Sequence, residues 1–216
     1  MIKTIKNDNS KKKSNKRSPY VLHIKKIVEN KKIVEDETKT MDHSLEFSPL
    51  SGSELDYDPD IYNKNPSIME SHNCYSYAFG KIVKGLRNKA QPGYSSGFQH
   101  IRDDDYNCSY FYERLKKDAP ATYVEKFDNQ CLPGFYKIFL ALDPGNDYHW
   151  WRQDSNQYWS HKRGSSYVYD VDSAKQKIKN PYLSNRNFEG RNYHKPCFFA
   201  CVYNDLARSL DTIYKQ

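Results

Sequence analysis

Two histidines that flank a turn are the first residues of this sequence with a capacity for chemistry. The segment 147–162 reads DYHWWRQDSNQYWSHK, and its central Asp-Ser-Asn run has turn-forming composition. If Ser155 is the centre of a hairpin turn, His149 lies opposite His161 on one face of the strand pair. Opposed side chains on an antiparallel pair have Cβ atoms about 5 Å apart, which lets two imidazoles hydrogen-bond. The hairpin therefore predicts a paired imidazole site.

The same hairpin carries two indoles on the histidine face. The register that pairs the histidines also places Trp151 opposite Trp159, and we expect these rings to wall a cleft. Ordinary cross-strand aromatic packing is the alternative interpretation. Asp147 is an alternative carboxylate partner for the imidazoles, and Asp170 and Asp172 are weaker candidates.

A candidate nucleophile, Cys74, stands at the start of a predicted amphipathic helix. Ser71 or Asn73 can cap this helix, and the run Gln91-Pro92-Gly93 ends the element. The partial positive charge at a helix N-terminus favours the thiolate and lowers the thiol pKa. The apolar positions that predict a helix of about four turns are Tyr75, Ala78, Phe79, Ile82, Val83 and Leu86.

A thiol nucleophile needs a base, and the base needs an orienting group. We expect Cys74 to attack a carbonyl, His149 to accept the thiol proton, and His161 to fix the tautomer of His149. The backbone N–H of Cys74, with the side chain of Asn73 or Tyr62, would stabilise the oxyanion. These parts predict an acyl-transfer site that needs no metal and no organic cofactor.

The order of these residues resembles that of the NlpC-type cysteine peptidases of the papain-like clan. Residues 73–78 (NCYSYA) stand where that family has its nucleophile motif, and His149 and His161 follow in the order and at the hairpin spacing of its base and orienting residue. The resemblance covers roughly residues 70–203. It implies a papain-like fold, with helices packed on an antiparallel sheet, and hydrolysis of a peptide, amide or ester substrate.

Two other functions remain open. Cys74, His149 and His161 could bind Zn²⁺ with His72 or His100 as a fourth ligand, although no close ligand pair of the usual structural type exists. Alternatively, Cys74 is a small core residue, and the chain is a non-catalytic structural or binding protein that retains the fold.

The elements that must position these residues indicate an α+β domain. A second helix is predicted between the acidic run 103–105 and Lys117, before Pro120. Five strands follow, which predicts an antiparallel sheet: residues 135–142, 147–153, 158–163, 165–171 and 196–203.

Charge and composition divide the chain into four segments. Residues 1–44 form a basic tail that we expect to be disordered, and residues 45–70 an irregular approach segment. Residues 71–205 form the domain, and 206–216 a C-terminal tail. Residues 1–33 hold 11 Lys and Arg against two acids, whereas the rest of the chain holds 23 basic and 25 acidic residues. A contact with a polyanion is therefore expected of residues 1–33 alone.

The five cysteines and the absence of long apolar runs predict the compartment. An odd number of cysteines without a Cys-x-x-Cys pair favours free thiols in a reducing compartment. Cys108 and Cys131 are expected to be structural, and Cys197 and Cys201 to pack on one face of a strand. The N-terminus lacks the apolar core of a signal peptide, and no run is long enough to span a membrane. We therefore expect an intracellular, cytoplasmic protein, with a nuclear or virion-associated location as the alternative.

Overall fold

The computed structural model describes residues 46–83, 85, 88–102 and 105–204. The predictions for the basic tail 1–44 and the C-terminal tail 206–216 lie outside these residues. The described residues combine short helices with a mostly antiparallel sheet, so the predicted α+β class is confirmed.

A six-stranded sheet forms the centre of the domain. The described strands are β1 Tyr123–Glu125, β2 Phe135–Asp143, β3 Asp147–Gln153, β4 Trp159–Lys162, β5 Val168–Tyr169, β6 Asn187–Phe188, β7 Arg191–Asn192 and β8 Lys195–Tyr203. The six strands of the sheet lie in the order β1-β8-β2-β3-β4-β5, and every neighbouring pair is antiparallel. The two short strands β6 and β7 pair separately.

The described helices precede the sheet in sequence and are short. The segment 45–70 contains a helix at residues 60–63 and most of a second helix at residues 66–71, so its prediction as an irregular segment is wrong. The elements are α1 Asp60–Asn63, α2 Pro66–Ser71, α3 Cys74–Ala78, a 3₁₀ turn Tyr94–Ser96 and α4 Cys108–Asp118.

The helix that begins at Cys74 has five residues, so the prediction of about four turns is wrong. Asn73 caps its start as predicted, because its side chain accepts a hydrogen bond from the Ser76 N–H. The helix ends because Gly80 adopts a left-handed φ of 64°. This backbone conformation favours glycine, and a Cβ at this position would also displace the tip of the Leu55 side chain.

The second predicted helix exists but begins later than the acidic run. Asn107 caps α4 by accepting a hydrogen bond from the Tyr110 N–H at 2.8 Å. Its last turn contains Lys116 and Lys117, which suits the negative end of a helix and agrees with the prediction. An asparagine cap, rather than the acidic run, therefore sets its start.

Side-chain alternation along β3 divides the core into two clusters. Tyr148 and Trp150 belong to the cluster on the helix side, together with Cys74. Trp151 belongs to the cluster on the other face, with Trp159. Because successive side chains of a strand point to opposite faces, the ring of His149 points away from the helix-side cluster.

Two disulfides attach β8 to its surroundings, so the prediction of free thiols is wrong. Cys108 of α4 is bonded to Cys197, and Cys131 to Cys201. The register between β2 and β8 shifts where Leu140 pairs with Phe198 and the next residue pairs with Pro196. Cys197 is the extra residue of this bulge.

The bulge also explains why the two β8 cysteines do not share a face. A bulge breaks side-chain alternation. Cys197 therefore packs against the helix-side cluster, whereas Cys201 joins a separate cluster with Cys131. Among the described residues, the free cysteine is Cys74.

Candidate functional site

The hairpin between β3 and β4 has a register two residues away from the predicted one. Trp151 pairs with His161, and Gln153 pairs with Trp159. The predicted direct pairing of His149 with His161 is therefore wrong, because the turn runs from Asp154 to Tyr158, whose C=O accepts from the Asp154 N–H at 2.9 Å. A shift of two residues preserves the face of every side chain, so both histidines still point to the same side.

The two imidazoles form a hydrogen-bonded chain. His149 Nε2 and His161 Nδ1 are 2.8 Å apart, and His161 Nε2 is 3.0 Å from the carbonyl oxygen of Val171. A carbonyl only accepts, so His161 Nε2 carries a proton. If both rings are neutral, His161 Nδ1 accepts a hydrogen bond from His149 Nε2–H. His149 Nδ1 is then the unprotonated end of the chain.

Burial keeps both rings neutral. His149 is 1% exposed and His161 is 0% exposed. Desolvation lowers the pKa of His161 to about 4, and it lowers the pKa of His149 well below the usual value, with the neighbouring His161 and Arg163 acting in the same direction. The pair therefore behaves as two neutral, oriented imidazoles at physiological pH.

Two neighbours of the pair, Tyr193 and the backbone carbonyl of Val171, were not predicted from the sequence. The Tyr193 ring stacks on His149 at 5.0 Å between centroids, and its hydroxyl donates to Asp147 Oδ2 at 2.9 Å. Asp147 thus contacts Tyr193 and not the imidazoles, and its other carboxylate oxygen accepts a hydrogen bond from the Tyr148 N–H. Tyr193 and the orienting carbonyl of Val171 come from loops, where sequence spacing gives no signal.

The predicted nucleophile lies on the helix side of β3. The Cys74 Sγ is 3.9 Å from the carbonyl oxygen of Tyr148 and also meets the backbone N–H of Trp150. These two backbone groups flank His149, whose ring points to the other face. The structure therefore brings His149 and His161 together and places the thiol against the strand backbone.

The electrostatic environment of Cys74 is opposite to that expected of a helix N-terminus. Burial, together with the charge of Asp147, raises the pKa of the thiol to about 12. The backbone N–H groups of Trp150 and Tyr75 and the charge of Lys162 oppose this shift without overcoming it. Desolvation dominates because a five-residue helix contributes little dipole and the thiol is 5% exposed.

The predicted oxyanion-supporting side chains have other contacts. The Asn73 amide donates to the Ala90 carbonyl at 2.6 Å, and its oxygen accepts from Ser76 in the helix cap. Tyr62 is buried and packs edge-on against His72 and Tyr77. Both polar atoms of the Asn73 side chain thus have partners within the fold, and Tyr62 lies in a small aromatic cluster.

The predicted cleft walls are core residues. Trp151 and Trp159 have no exposed surface and pack in one cluster with Phe199. They share the histidine face, as predicted, but an indole without exposed surface lines no solvent-filled cleft.

The weaker carboxylate candidates, Asp170 and Asp172, also have other contacts. Asp170 pairs with Lys177, and both Asp172 oxygens accept hydrogen bonds from backbone N–H groups.

The zinc alternative finds no geometric support in the described part of the chain. No group of three or more His, Cys, Asp or Glu side chains there is placed to hold a metal ion. His72 uses both ring nitrogens, because Nδ1 lies 3.0 Å from the Ile68 carbonyl and Nε2 accepts from the Val83 N–H at 3.0 Å. His100 is exposed, and its ring makes a tilted contact with Tyr94.

One curated protein provides a comparison. The chain is 29% identical over 130 residues to insoluble matrix shell protein 1 of Ruditapes philippinarum, an alignment that covers 60% of this chain and 80% of that protein. No family model and no solved structure matches.

These findings correct the predicted location. The two disulfides indicate an oxidising environment, and the similar protein is an insoluble matrix protein of a shell. The prediction of a reducing, intracellular compartment is therefore wrong. Within the described residues, no helix combines the length and apolar character needed to cross a bilayer.

Proposed function

We propose that this chain is a non-catalytic, disulfide-braced structural and binding protein of an extracellular matrix. It would bind a polyanion through the basic residues 1–33. The observation that carries the proposal is the separation of the free thiol from the paired imidazoles by the β3 backbone. The hydrolase suggested by the resemblance to NlpC-type peptidases stays a prediction.

The state of Cys74 supports a structural role. A nucleophilic cysteine needs a thiolate, and a thiol with a pKa of about 12 is protonated at physiological pH. Cys74 is 5% exposed and packs among the aromatic side chains of the helix-side cluster. It therefore has the properties of a small core residue.

The paired imidazoles also have a structural role available. Each bond in the chain from His149 to the Val171 carbonyl satisfies a buried polar atom. These hydrogen bonds join β3 and β4 to the loop after β5. The ring of Tyr193, between β7 and β8, stacks on His149. A buried network of this kind fixes the position of loops without any substrate.

The disulfides and the similar shell protein support an extracellular matrix. Both disulfides close long loops, because their cysteines are 89 and 70 residues apart in sequence. Cross-links over long loops stabilise a fold chiefly by restricting the unfolded chain. The relative is an insoluble matrix protein, which suits a braced module better than it suits a soluble enzyme.

Alkylation of the native chain separates the two functions. We expect iodoacetamide to leave Cys74 unmodified in the native protein and to label it after unfolding in urea without reductant. A hydrolase nucleophile would react in the native state at about pH 6, where an ordinary thiol is protonated. Native labelling at that pH, abolished by His149→Phe, would contradict the proposal.

Polyanion binding tests the second half of the proposal. The salt concentration that elutes the full chain from a heparin resin should fall when the tail is neutralised, because fewer anionic groups are contacted. The tail variant replaces five residues by glutamine: Lys11, Lys12, Lys13, Lys16 and Arg17. The control replaces five exposed residues of the domain: Arg102, Lys117, Lys126, Lys175 and Lys195. Equal shifts for both variants would exclude a specific role for the tail.

A further inference from the structure

The two disulfides differ in their access to solvent. Cys131 is 4% exposed and Cys201 has no exposed surface, and both pack in an apolar cluster with Phe135. Cys108 and Cys197 are half-buried and lie at the edge of the helix-side cluster. A thiol must reach a disulfide sulfur in order to reduce it. The Cys108–Cys197 bond is therefore the accessible one of the two.

The position of Cys108 favours its release as a thiolate. Cys108 is the first residue of α4, which has 11 residues and is capped by Asn107. The first turn, all of which the structure describes, contains no acidic residue. The partial positive charge at this helix end stabilises a thiolate and lowers the thiol pKa, and a thiol of lower pKa leaves a disulfide faster.

The fold keeps the strand of Cys197 in place without this disulfide. β8 lies between β1 and β2 and pairs with both, and Cys201 stays bonded to Cys131. In α4, Phe111 and Leu115 have no exposed surface and belong to the helix-side cluster. The Cys108–Cys197 bond can therefore open while the domain remains folded.

We propose that the Cys108–Cys197 disulfide is an exchange site for small-molecule thiols. The thiolate of such a molecule attacks Cys197 Sγ and forms a mixed disulfide with it, while the bond to Cys108 breaks and its electron pair leaves on Cys108 Sγ. A second molecule then displaces the first from Cys197. Two small thiols are thereby oxidised to one disulfide, and the two cysteine sulfurs are reduced and take up protons from water.

The attacking thiol comes from outside the chain. Among the described residues the free cysteine is Cys74, which is 5% exposed and protonated at physiological pH. A buried, protonated thiol does not attack a disulfide. The inference goes beyond the proposed function, because neither a structural role nor polyanion binding requires a reducible disulfide.

Reduction of the full, oxidised chain by 2-mercaptoethanol at about pH 8 tests the proposal. Samples are quenched with iodoacetamide and mapped by mass spectrometry, and circular dichroism checks that the protein stays folded. We expect Cys108–Cys197 to open at least about tenfold faster than Cys131–Cys201, with the mixed disulfide on Cys197. Equal rates, faster opening of Cys131–Cys201 or a mixed disulfide on Cys108 would overturn the proposal.

The same reaction in urea controls for an effect of local sequence. Unfolding removes both the burial of Cys131–Cys201 and the helix end at Cys108, so the two bonds should open at similar rates. A preference of the native size that persists in urea would overturn the assignment to the fold.

A matched pair of variants tests Cys108 as the leaving group. Ser109 is half-buried in the first turn of α4, next to Cys108. Ser109→Asp places a carboxylate beside the departing thiolate, whereas Ser109→Asn has a similar shape and no charge. Both residues are compatible with the start of a helix. Opening of Cys108–Cys197 should be about threefold or more slower in Ser109→Asp than in Ser109→Asn. Equal rates in the two variants would refute this role of Cys108.

Discussion

Acidification should destabilise this protein through the His149–His161 pair. His161 is fully buried, and its Nδ1 accepts a hydrogen bond while its Nε2 donates to Val171. A second proton on this ring would remove the acceptor and place a charge in the core, so burial lowers the pKa of His161 from 6.5 to about 4. The unfolded chain has no such constraint and binds the proton at its ordinary pKa.

The sign and size of the effect follow from proton binding. Because the unfolded state binds more protons between the two pKa values, the stability supplied by a neutral His161 is present above 6.5 and is lost as the pH falls towards 4. The gap between the two values corresponds to about 3 kcal/mol in the acid limit. Between about pH 7 and about pH 5, the loss from His161 alone is about 2 kcal/mol.

Urea unfolding of the oxidised protein at these two pH values measures the effect. His161→Gln cannot titrate, so the variant should lose about 2 kcal/mol less than the wild type on acidification. At neutral pH it should be less stable by about 1–3 kcal/mol, because the His149 Nε2–H loses its aligned acceptor. The exposed His100, replaced by glutamine, serves as the control and should keep the pH dependence of the wild type.

Other titrating groups do not affect the comparison of the wild type with His161→Gln. Buried carboxylates, and the buried His72, contribute equally to the wild type and to His161→Gln. The difference between the two proteins reports on the His149–His161 pair, because replacement of His161 also removes its effect on the pKa of His149. If the two lose the same stability on acidification, burial of a neutral imidazole pair is not the cause of acid sensitivity and the argument fails.

Two further changes test what holds the domain together. Arg152→Met should cost about 3–5 kcal/mol in urea unfolding, because it leaves the buried Asp154 without the guanidinium that contacts it at 2.7 Å; equal stability would refute a role for this pair. Removal of one disulfide by Cys108→Ala with Cys197→Ala should cost about 2–5 kcal/mol, and a thermal scan without reductant should show a lower midpoint.

The disulfide-bonded cysteines of β8 could not be placed from side-chain alternation along the strand. Cys197 and Cys201 are four residues apart, and strict alternation puts them on one face of β8. The bulge at Cys197 moves this residue to the helix side, within reach of Cys108 on α4. Pro196 is compatible with a bulge at this point, but the bulge depends on pairing with β2, so the pairing of the cysteines could not be predicted from β8 alone.

The histidine pair shows why a wrong register could still give a correct contact. The predicted turn was two residues too short, yet His149 and His161 remained on one face because a strand repeats every two residues. The rings then meet diagonally, and long side chains span the wider diagonal spacing. The contact between the histidines could therefore be predicted from their even separation of twelve residues across a hairpin, without the exact position of the turn.

The position of Cys74 could not be predicted because β3 is buried on both faces. An amphipathic strand reveals which face a helix covers, since its polar side chains mark the other face. In β3, however, Tyr148 and Trp150 point to one cluster, Trp151 points to the other, and the strand is buried from Tyr148 to its end. Helix α3 could have covered either face on sequence evidence. Packing of the helix on the Tyr148 and Trp150 face sets Cys74 apart from the imidazoles.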